Sequence, residues 1–311
     1  MPSSTLVAWN PSHPPTAALD WALRRARALH GPVELVQVLD DVLTADGDVP
    51  SGPVAALEGA IERIREEHPG IPISGRVVHG FVVPALARET AMDRLLVIGR
   101  PERAFRLGSR WSFGSEVSAV AHGPVSVVPA ASAPDRSGVV VGVDGSPGSW
   151  AAVVFAAEEA ERTGQPLRIV HGGEDRGSGE VVRARLADHE HTIRDIARRL
   201  RTAIPGSTLQ PELVLSSEPP ARALLRGEPA PALVVIGSRR LTGLSRLLLG
   251  SVSDDLLAAL ETALVVVCPP ERQHPSPVRE VARTGSVRGP EGALHVLGAP
   301  RGRAEPAGGH E

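Results

Sequence analysis

The fold class of this chain follows from the stretch VVVGVDGSPGSWAAVVFAAEEAERTGQPLRIVH, residues 139–171. A continuous apolar run at 139–143 is followed by the turn-forming residues DGSPGS and then by a helical pattern from Ser149 to about Thr163. A second apolar run, LRIVH, occupies 167–171. Apolar strands separated by helices are typical of a parallel sheet that helices cover on both faces.

The same alternation extends over most of the chain. Downstream, helices are predicted around 180–203, after Pro220 and from about Val252. Further strands are predicted at 212–216, 233–237 and 263–267, and upstream at 6–9, 33–39, 75–79, 95–99 and 125–129. The sequence therefore predicts a doubly wound α/β fold whose strands are buried on both faces.

The chain contains one long internal repeat. Residues 10–37 align without a gap with residues 144–171, an offset of 134 residues (144 − 10). This period is far longer than that of a solenoid repeat and indicates a duplicated domain. We predict a first domain at 1–130, called the first half below, and a second at 137–270, called the second half. Residues 271–311, rich in Pro, Gly, Arg and Glu, are predicted to form a disordered tail.

Length, composition and charge narrow the function. The 311 residues are 42% hydrophobic and 22% charged, which is a globular composition. No apolar stretch approaches the roughly 20 residues of a membrane span, and the N-terminus lacks a signal-peptide pattern, so we expect a cytosolic protein without a membrane partner. A net charge of −3 disfavours nucleic acid as a partner. The single cysteine, Cys268, excludes an internal disulfide and a cysteine-rich metal site.

Any phosphate site in this chain is built without lysine. All 33 basic residues are arginines, which excludes the P-loop lysine. In doubly wound sheets, ligands bind beyond the carboxyl ends of the strands. There, Gly237 lets the backbone approach a ligand closely, and Gly250 and Ser251 open a predicted helix whose free N–H groups attract an anion. Ser253 adds a hydroxyl, and Asp144 can accept from two ribose hydroxyls. These are the parts of a nucleotide site.

The segments VVVGVDGS, LRIVHG, VVIGSRR and LLLGSVS, in this order, resemble the universal stress protein family in its tandem two-domain, actinobacterial form. The resemblance covers 4–130 and 137–270. The family motif is Gly, two residues, Gly, nine residues, Gly, then Ser or Thr, and Gly237, Gly250 and Ser251 keep three of its four fixed positions. The resemblance implies five-stranded parallel sheets in the order 3-2-1-4-5, pairing through the fifth strands, and ATP as ligand, with or without Mg²⁺.

The resemblance also implies a set of site residues in the second half. Asp144 would contact ribose, His171 and Gly172 would flank adenine, and the start of the last helix would hold the phosphates. The full set is Asp144, His171, Gly172, Ile236, Gly237, Arg239, Arg240, Gly250, Ser251, Val252 and Ser253. Arg240 stands where the motif has its second glycine, so its side chain either obstructs the phosphates or clamps them.

The first half departs further from the motif. Asn10 replaces the aspartate, Glu102 replaces the second motif glycine, and the loop from Gly99 to Gly114 is two residues longer than its counterpart. We therefore expect its site to be lost, so that each chain binds one nucleotide. Gly114 and Ser115 are expected to start a helix.

Simpler interpretations remain open for several of these residues. Gly250 with Ser251 is also a common helix cap, and Asp144 is also a turn residue in DGSPGS. His189 and His191, two residues apart on a helix, are expected to point to different faces, which disfavours a metal site. The arginine pair at 24–25 is predicted to lie on a solvated face.

Three functions are consistent with the sequence. The resemblance implies a stress-response protein that binds an adenine nucleotide and acts as a binding and regulatory module. A slow ATPase and a nucleotide-free interaction protein are the alternatives. The apolar final strands of the two halves predict that these pair within one chain as a pseudo-dimer, with a further homodimer between chains as an additional level of assembly.

Overall fold

A computed structural model describes residues 2–39, 51–100, 113–130, 135–173, 180–238, 251–259, 262–267 and 282–284. The strands of the first half are β1 (Ser4–Trp9), β2 (Val33–Leu39), β3 (Ile73–His79), β4 (Arg94–Gly99) and β5 (Val125–Val128). Its helices are α1 (Thr16–Leu29), α2 (Ser51–Glu67), α3 (Val82–Glu89) and α4 (Phe113–Val120).

The second half repeats this order of elements. Its strands are β6 (Val139–Gly142), β7 (Leu167–Gly172), β8 (Glu212–Ser216), β9 (Leu233–Gly237) and β10 (Ala263–Val267). Its helices are α5 (Pro147–Thr163), α6 (Glu180–Ala203), α7 (Pro220–Leu225) and α8 (Ser251–Ala258). A last short strand, β11 (Ala282–Thr284), follows.

The strand order confirms the predicted topology. One sheet runs β11-β3-β2-β1-β4-β5-β10-β9-β6-β7-β8, so each half has the order 3-2-1-4-5, and within each half the neighbouring strands are parallel. The halves join where β5 and β10 pair antiparallel, with Ser126 opposite Val265. The predicted pairing through the fifth strands within one chain is therefore confirmed. Because β5 and β10 each have a neighbour on both sides, neither offers an open edge to a second chain.

The predicted tail contributes one strand to the described structure. Of residues 271–311 the structure describes only Ala282–Thr284, which pair antiparallel with β3. Arg283 lies opposite Arg76 in this register. Their pairing gives partners to the N–H and C=O groups that β3 would otherwise present at a sheet edge.

Helices cover both faces of the sheet. On one face, α1, α2, α5 and α6 pack on alternate strand residues from both halves, in one continuous apolar cluster that includes Val7, Leu35, Val141 and Ile169. On the opposite face, α7 and α8 pack on the second half, and α3 and α4 pack on the first. Among the described residues, no helix is long and apolar enough to cross a membrane.

One strand departs from the buried pattern that the sequence predicts. β8 lies at the end of the sheet and pairs with β7 on one side. Its apolar side chains Leu213 and Leu215 are 40% and 39% exposed. The apolar run at 212–216 correctly predicts a strand, but it is not buried on both faces, because an edge strand has fewer neighbours to cover it.

Two local predictions also need correction. The first helix of the second half begins at Pro147 and not at Ser149, because the Ser146 hydroxyl caps it by accepting from the Ser149 N–H at 3.2 Å. The arginine pair at 24–25 does not lie wholly on a solvated face: Arg24 is exposed, but Arg25 is only 5% exposed.

Candidate functional site

The carboxyl ends of β6, β7 and β9 meet at one edge of the second half. β6 lies between the other two strands, with Gly142 opposite Val170 of β7 and Val141 opposite Val235 of β9. From β6 the chain continues through α5 to β7 on one side of β6, and after β8 it returns to β9 on the other side. The strand order therefore reverses at β6. Such a switch point is where open α/β sheets bind ligands.

Asp144 lies two residues after the end of β6, beyond Val143, and is exposed at this edge. Its Oδ1 accepts from the Ser146 N–H at 2.9 Å, so the turn interpretation of Asp144 is confirmed for one carboxylate oxygen. Asn10, its counterpart in the first half, makes the same turn by accepting from the Ser12 N–H at 3.0 Å. The shared turn accounts for a polar residue at both positions. It does not account for the negative charge of Asp144.

His171 lies near the end of β7, beside Asp144. Its ring centroid is 4.2 Å from that of His189 on α6, and the rings are tilted by 46°. The His171 Nδ1 is buried and has no hydrogen-bond partner among the described residues. Burial and, to a lesser extent, the charge of His189 lower the pKa of His171, against the opposing effects of a hydrogen bond to the Val143 backbone and the charge of Asp144. His171 is therefore neutral near pH 7.

His189 is a site residue that sequence reasoning missed. It lies on the inner face of α6, four residues before the buried Ile193 and in line with Ile196 and Leu200. This spacing is the signal that predicts its contact with the sheet. The exposed His191 confirms that the two histidines point to different faces. Among the described residues, no group of three or more His, Cys, Asp or Glu is arranged to hold a metal ion.

Gly237 and Gly172 have packing roles that the sequence did not reveal. A Cβ atom on Gly237 would lie 2.3 Å from the carbonyl carbon of Gly148, in the first turn of α5, and a Cβ on Gly172 would lie 2.9 Å from the Cα of Pro220 in α7. Close contact between strand and helix backbones therefore requires glycine at both positions. For Gly237, this contact with α5 is a second reason for the glycine, beside the predicted approach of a ligand. The sequence did not predict that Gly148 is the residue that Gly237 contacts.

The predicted phosphate side is described in part. α8 begins at Ser251, as expected, and Ser253 in its first turn is 5% exposed. Val252 packs against the apolar cluster beneath, and the Ile236 side chain lies in the same cluster, so Ile236 can face a ligand only through its backbone. Asp254 places a carboxylate in the first turn of α8, where it competes with an anion for the positive helix end. Arg239, Arg240 and Gly250 lie outside the described residues.

The corresponding edge of the first half carries different groups. At the offset of 134, Trp9, Asn10 and Gln37 correspond to Val143, Asp144 and His171. Trp9 and Gln37 are 8% and 3% exposed, and their Nε1 and Oε1 atoms have no hydrogen-bond partner in the described part of the chain. The second half thus has an aliphatic residue, a carboxylate and an imidazole at these positions. The first half has a large indole and two neutral amides.

The rest of the first-half edge is described only in part. Gly114 and Ser115 lie in the first turn of α4, so the predicted helix start is observed at Phe113. A Cβ on Gly114 would lie 2.6 Å from the Val127 side chain of β5, which explains the glycine by packing. Glu102 and the extended loop through residue 112 lie outside the described residues.

Comparisons with known proteins agree with this architecture. The model of the universal stress protein family matches residues 137–268. The chain is 30% identical over 295 residues to universal stress protein Rv1996 of Mycobacterium tuberculosis, covering 82% of this chain and 91% of that protein. The crystal structure of a universal stress protein from Archaeoglobus fulgidus shares the fold with a TM-score of 0.61 at 18% identity, covering 86% of this chain and 97% of that one.

Proposed function

Because this chain belongs to the universal stress protein family, we propose that its second half binds an adenine nucleotide and that the chain acts as a cytosolic binding and regulatory module of the stress response. The observation that supports the proposal is that Asp144 and His171 lie close together at the carboxyl ends of β6 and β7, at the switch point of the second half. The proposed ligand is ATP, with or without Mg²⁺. A homodimer between chains is a further proposal.

The adenosine part of a nucleotide fits the described residues. The buried, unpartnered Nδ1 of His171 lacks a hydrogen bond that a ring nitrogen or amino group of adenine can supply, and leaving such a group unpaired costs about 1–3 kcal/mol. Asp144 lies next to it, on the exposed side, where a ribose hydroxyl can donate to its carboxylate. The base would thus lie toward α6 and the ribose toward solvent.

The phosphates are assigned to the other side of the switch point. The first N–H groups of α8 have no partner within the helix and offer hydrogen bonds to an anion. In the proposal, the hydroxyls of Ser251 and Ser253 would add donors to this set. Gly250, Val252, Ile236, Gly237 and Arg239 contribute backbone to this side in the proposal. The carboxylate of Asp254 weakens the positive potential at the N-terminus of α8. In the proposal, an arginine from the preceding loop would therefore add the positive charge that holds the phosphates.

A nucleotide-free interaction protein is the second candidate. It is favoured by the packing contacts of Gly237 and Gly172, which account for both glycines without a ligand. A slow ATPase gains no comparable support from the described residues.

Calorimetric titration of the full chain with ATP tests the proposal. We expect one nucleotide per chain and about 10- to 150-fold weaker binding for Asp144→Asn, because this variant keeps the turn to Ser146 and removes a charged acceptor worth about 1.5–3 kcal/mol. Asn10→Ala is the matched control, since it removes the equivalent turn in the first half and should leave the affinity unchanged. Two equal sites per chain would contradict the proposal. A chain that shows no heat and no thermal shift with ATP, ADP, AMP or cyclic AMP would support the second candidate.

Arg240→Gly distinguishes the two interpretations of Arg240. A clamp on the phosphates predicts weaker ATP binding in the variant, since a charge-assisted hydrogen bond is lost. An obstruction predicts tighter binding despite the lost charge. The sign of the change in the dissociation constant decides between them.

A further inference from the structure

The two halves of the chain meet through helices as well as through strands. On the face opposite α7 and α8, α1 of the first half lies against α5 of the second, and Arg25 and Glu159 form an ion pair between them. The Arg25 Nε donates to Glu159 Oε1 at 2.7 Å and Nη2 donates to Oε2 at 2.9 Å, so the pair is bidentate. Arg25 and Glu159 are 5% and 2% exposed, which means that both charges have been removed from water.

Two further contacts of the Arg25 guanidinium are made within the first half itself. Nη1 donates to the Thr5 hydroxyl at 2.9 Å, and Nη2 lies 3.5 Å from the Pro2 carbonyl oxygen. Val139 is the counterpart of Thr5 in the second half (5 + 134), and it has no hydroxyl to offer. An arginine at this position of the first half therefore has the Thr5 hydroxyl as an acceptor, and an arginine at the equivalent position of the second half would lack it.

Arg25 and Glu159 are the same position of the duplicated unit. They are 134 residues apart, the offset that aligns Asn10 with Asp144. The strand registers agree with this offset, because Thr5 pairs with Val33 in the first half and Val139 pairs with Leu167 in the second. The antiparallel pairing of β5 with β10 relates the halves by an approximate two-fold axis, and a position near such an axis faces its own counterpart.

This geometry has a consequence for the choice of partner. If two first halves paired in the same way, Arg25 would face Arg25, and if two second halves paired, Glu159 would face Glu159. Either arrangement buries two like charges without compensation, which is strongly unfavourable. Only the pairing of a first half with a second half places opposite charges together.

We infer that the Arg25–Glu159 pair makes this interface selective for unlike halves, so that the surface formed by α1 and β5 accepts a second half and rejects another first half. The inference concerns assembly and is independent of the proposed nucleotide site. Apolar residues can replace a buried ion pair with little loss of stability. The Arg25–Glu159 pair therefore contributes to the choice of partner more than to the strength of the contact.

Charge reversal in the full chain tests the contact. Arg25→Glu and Glu159→Arg should each lower Tm by about 10 °C, because each leaves two like charges buried. The double variant R25E/E159R should recover at least half of that loss. Recovery is expected to be incomplete because Thr5 no longer faces an arginine. The controls Arg24→Glu and Glu161→Arg change the same charges at exposed positions of the same helices and should shift Tm by less than about 2 °C. A double variant no more stable than the single ones would overturn the inference.

Replacement of the pair by leucine tests selectivity separately from stability. R25L/E159L should keep Tm within about 3 °C of the wild type. When refolded from denaturant at rising protein concentration, it should give additional species above the mass of its wild-type counterpart, because pairing between like halves is no longer penalised. Size-exclusion chromatography with light scattering measures this, with the 32.6 kDa chain as the unit of mass. If the leucine variant refolds to the same mass distribution as the wild type at every concentration, the pair does not select the partner and the inference fails.

Discussion

The first and second halves share a backbone frame and differ in the side chains at its carboxyl edge. Both have the strand order 3-2-1-4-5, and both end their first helix in a left-handed residue, His30 and Gly164, at the offset of 134. Both also make the same turn after the first strand, through Asn10 and Asp144. The frame is kept because its strands and helices bury apolar surface, whereas an exposed edge residue such as Asn10 or Asp144 can change without disturbing that core.

The difference between the halves is therefore chemical. The second half presents a carboxylate and a neutral imidazole at the edge, and the first half presents two amides and an indole. When the two copies of a duplicated unit share their packing but differ in the groups at their edge, one copy can bind a ligand while the other has a structural role. Substitutions at equivalent positions of the two halves test how far this separation holds.

The largest expected effect concerns the glycine that ends the fourth strand of each half. Gly237→Ala should lower the free energy of unfolding by about 3 kcal/mol or more, because the added Cβ would lie 2.3 Å from the Gly148 backbone, which has little freedom to move. Gly99→Ala should cost less, about 1–2 kcal/mol, since its Cβ would meet the Pro15 ring at 2.7 Å. Urea denaturation followed by circular dichroism measures both.

A helical glycine provides the control for these two substitutions. Gly59 lies within α2, and a Cβ there would have no neighbour within 4 Å among the described residues. Gly59→Ala should stabilise the chain by about 0.5–1 kcal/mol. If Gly237→Ala and Gly99→Ala lowered the free energy of unfolding equally, the strand-to-helix contact would be no tighter in the second half than in the first.

Most of the fold could be predicted from the sequence because its signals are local. The apolar runs at 212–216, 233–237 and 263–267 match β8, β9 and β10 residue for residue, and the helix expected around 180–203 is α6. These patterns depend on burial within one element, which periodicity records directly. The exposure of β8 was not predicted, because it depends on which strand lies at the end of the sheet.

The site could be predicted only in outline. Asp144 and the start of α8 follow from strand ends and helix caps, but the contact of His189 with His171 and that of Gly148 with Gly237 join elements that are distant in the chain. The ion pair of Arg25 with Glu159 was missed for the same reason: a buried arginine looks like a surface one until its partner, 134 residues away, is known. Periodicity can show that such a residue faces inward, but the partner in a tertiary contact of this kind leaves no trace in local composition.

A smaller effect is expected at the left-handed residues that end α1 and α5. His30 has a φ of 52° and Gly164 has a φ of 65°, a conformation that favours glycine. Gly164→His should cost about 1 kcal/mol, and His30→Gly should stabilise the chain by less than that, because glycine also gains entropy in the unfolded state. His30 is exposed, and a Cβ on Gly164 would have no neighbour within 4 Å in the described part of the chain, so packing should not obscure the comparison. Thermal unfolding should show Tm changes of opposite sign; changes of the same sign would mean that the two caps are not equivalent.

The smallest effect, and the one most specific to the proposed site, is the pH dependence contributed by His171. Its pKa is lowered in the folded chain from the ordinary value of 6.5, chiefly by burial and then by the charge of His189. The unfolded chain therefore binds a proton more readily than the folded chain. The stability that depends on a neutral His171 is fully present above pH 6.5 and is lost as the pH falls through the lowered pKa.

His171→Gln gives the second half the residue that the first half has at this position, Gln37, and an amide does not titrate in this range. We expect Tm to fall less between pH 7.5 and pH 5.5 in this variant than in the wild type, when both are measured without nucleotide. His191→Gln, on the exposed face of the same helix as His189, should keep the wild-type slope. His189→Gln should give an intermediate slope, because it removes the second cause of the lowered pKa and leaves the first, burial, in place. A wild-type slope in His171→Gln would mean that titration at this edge does not distinguish the two halves.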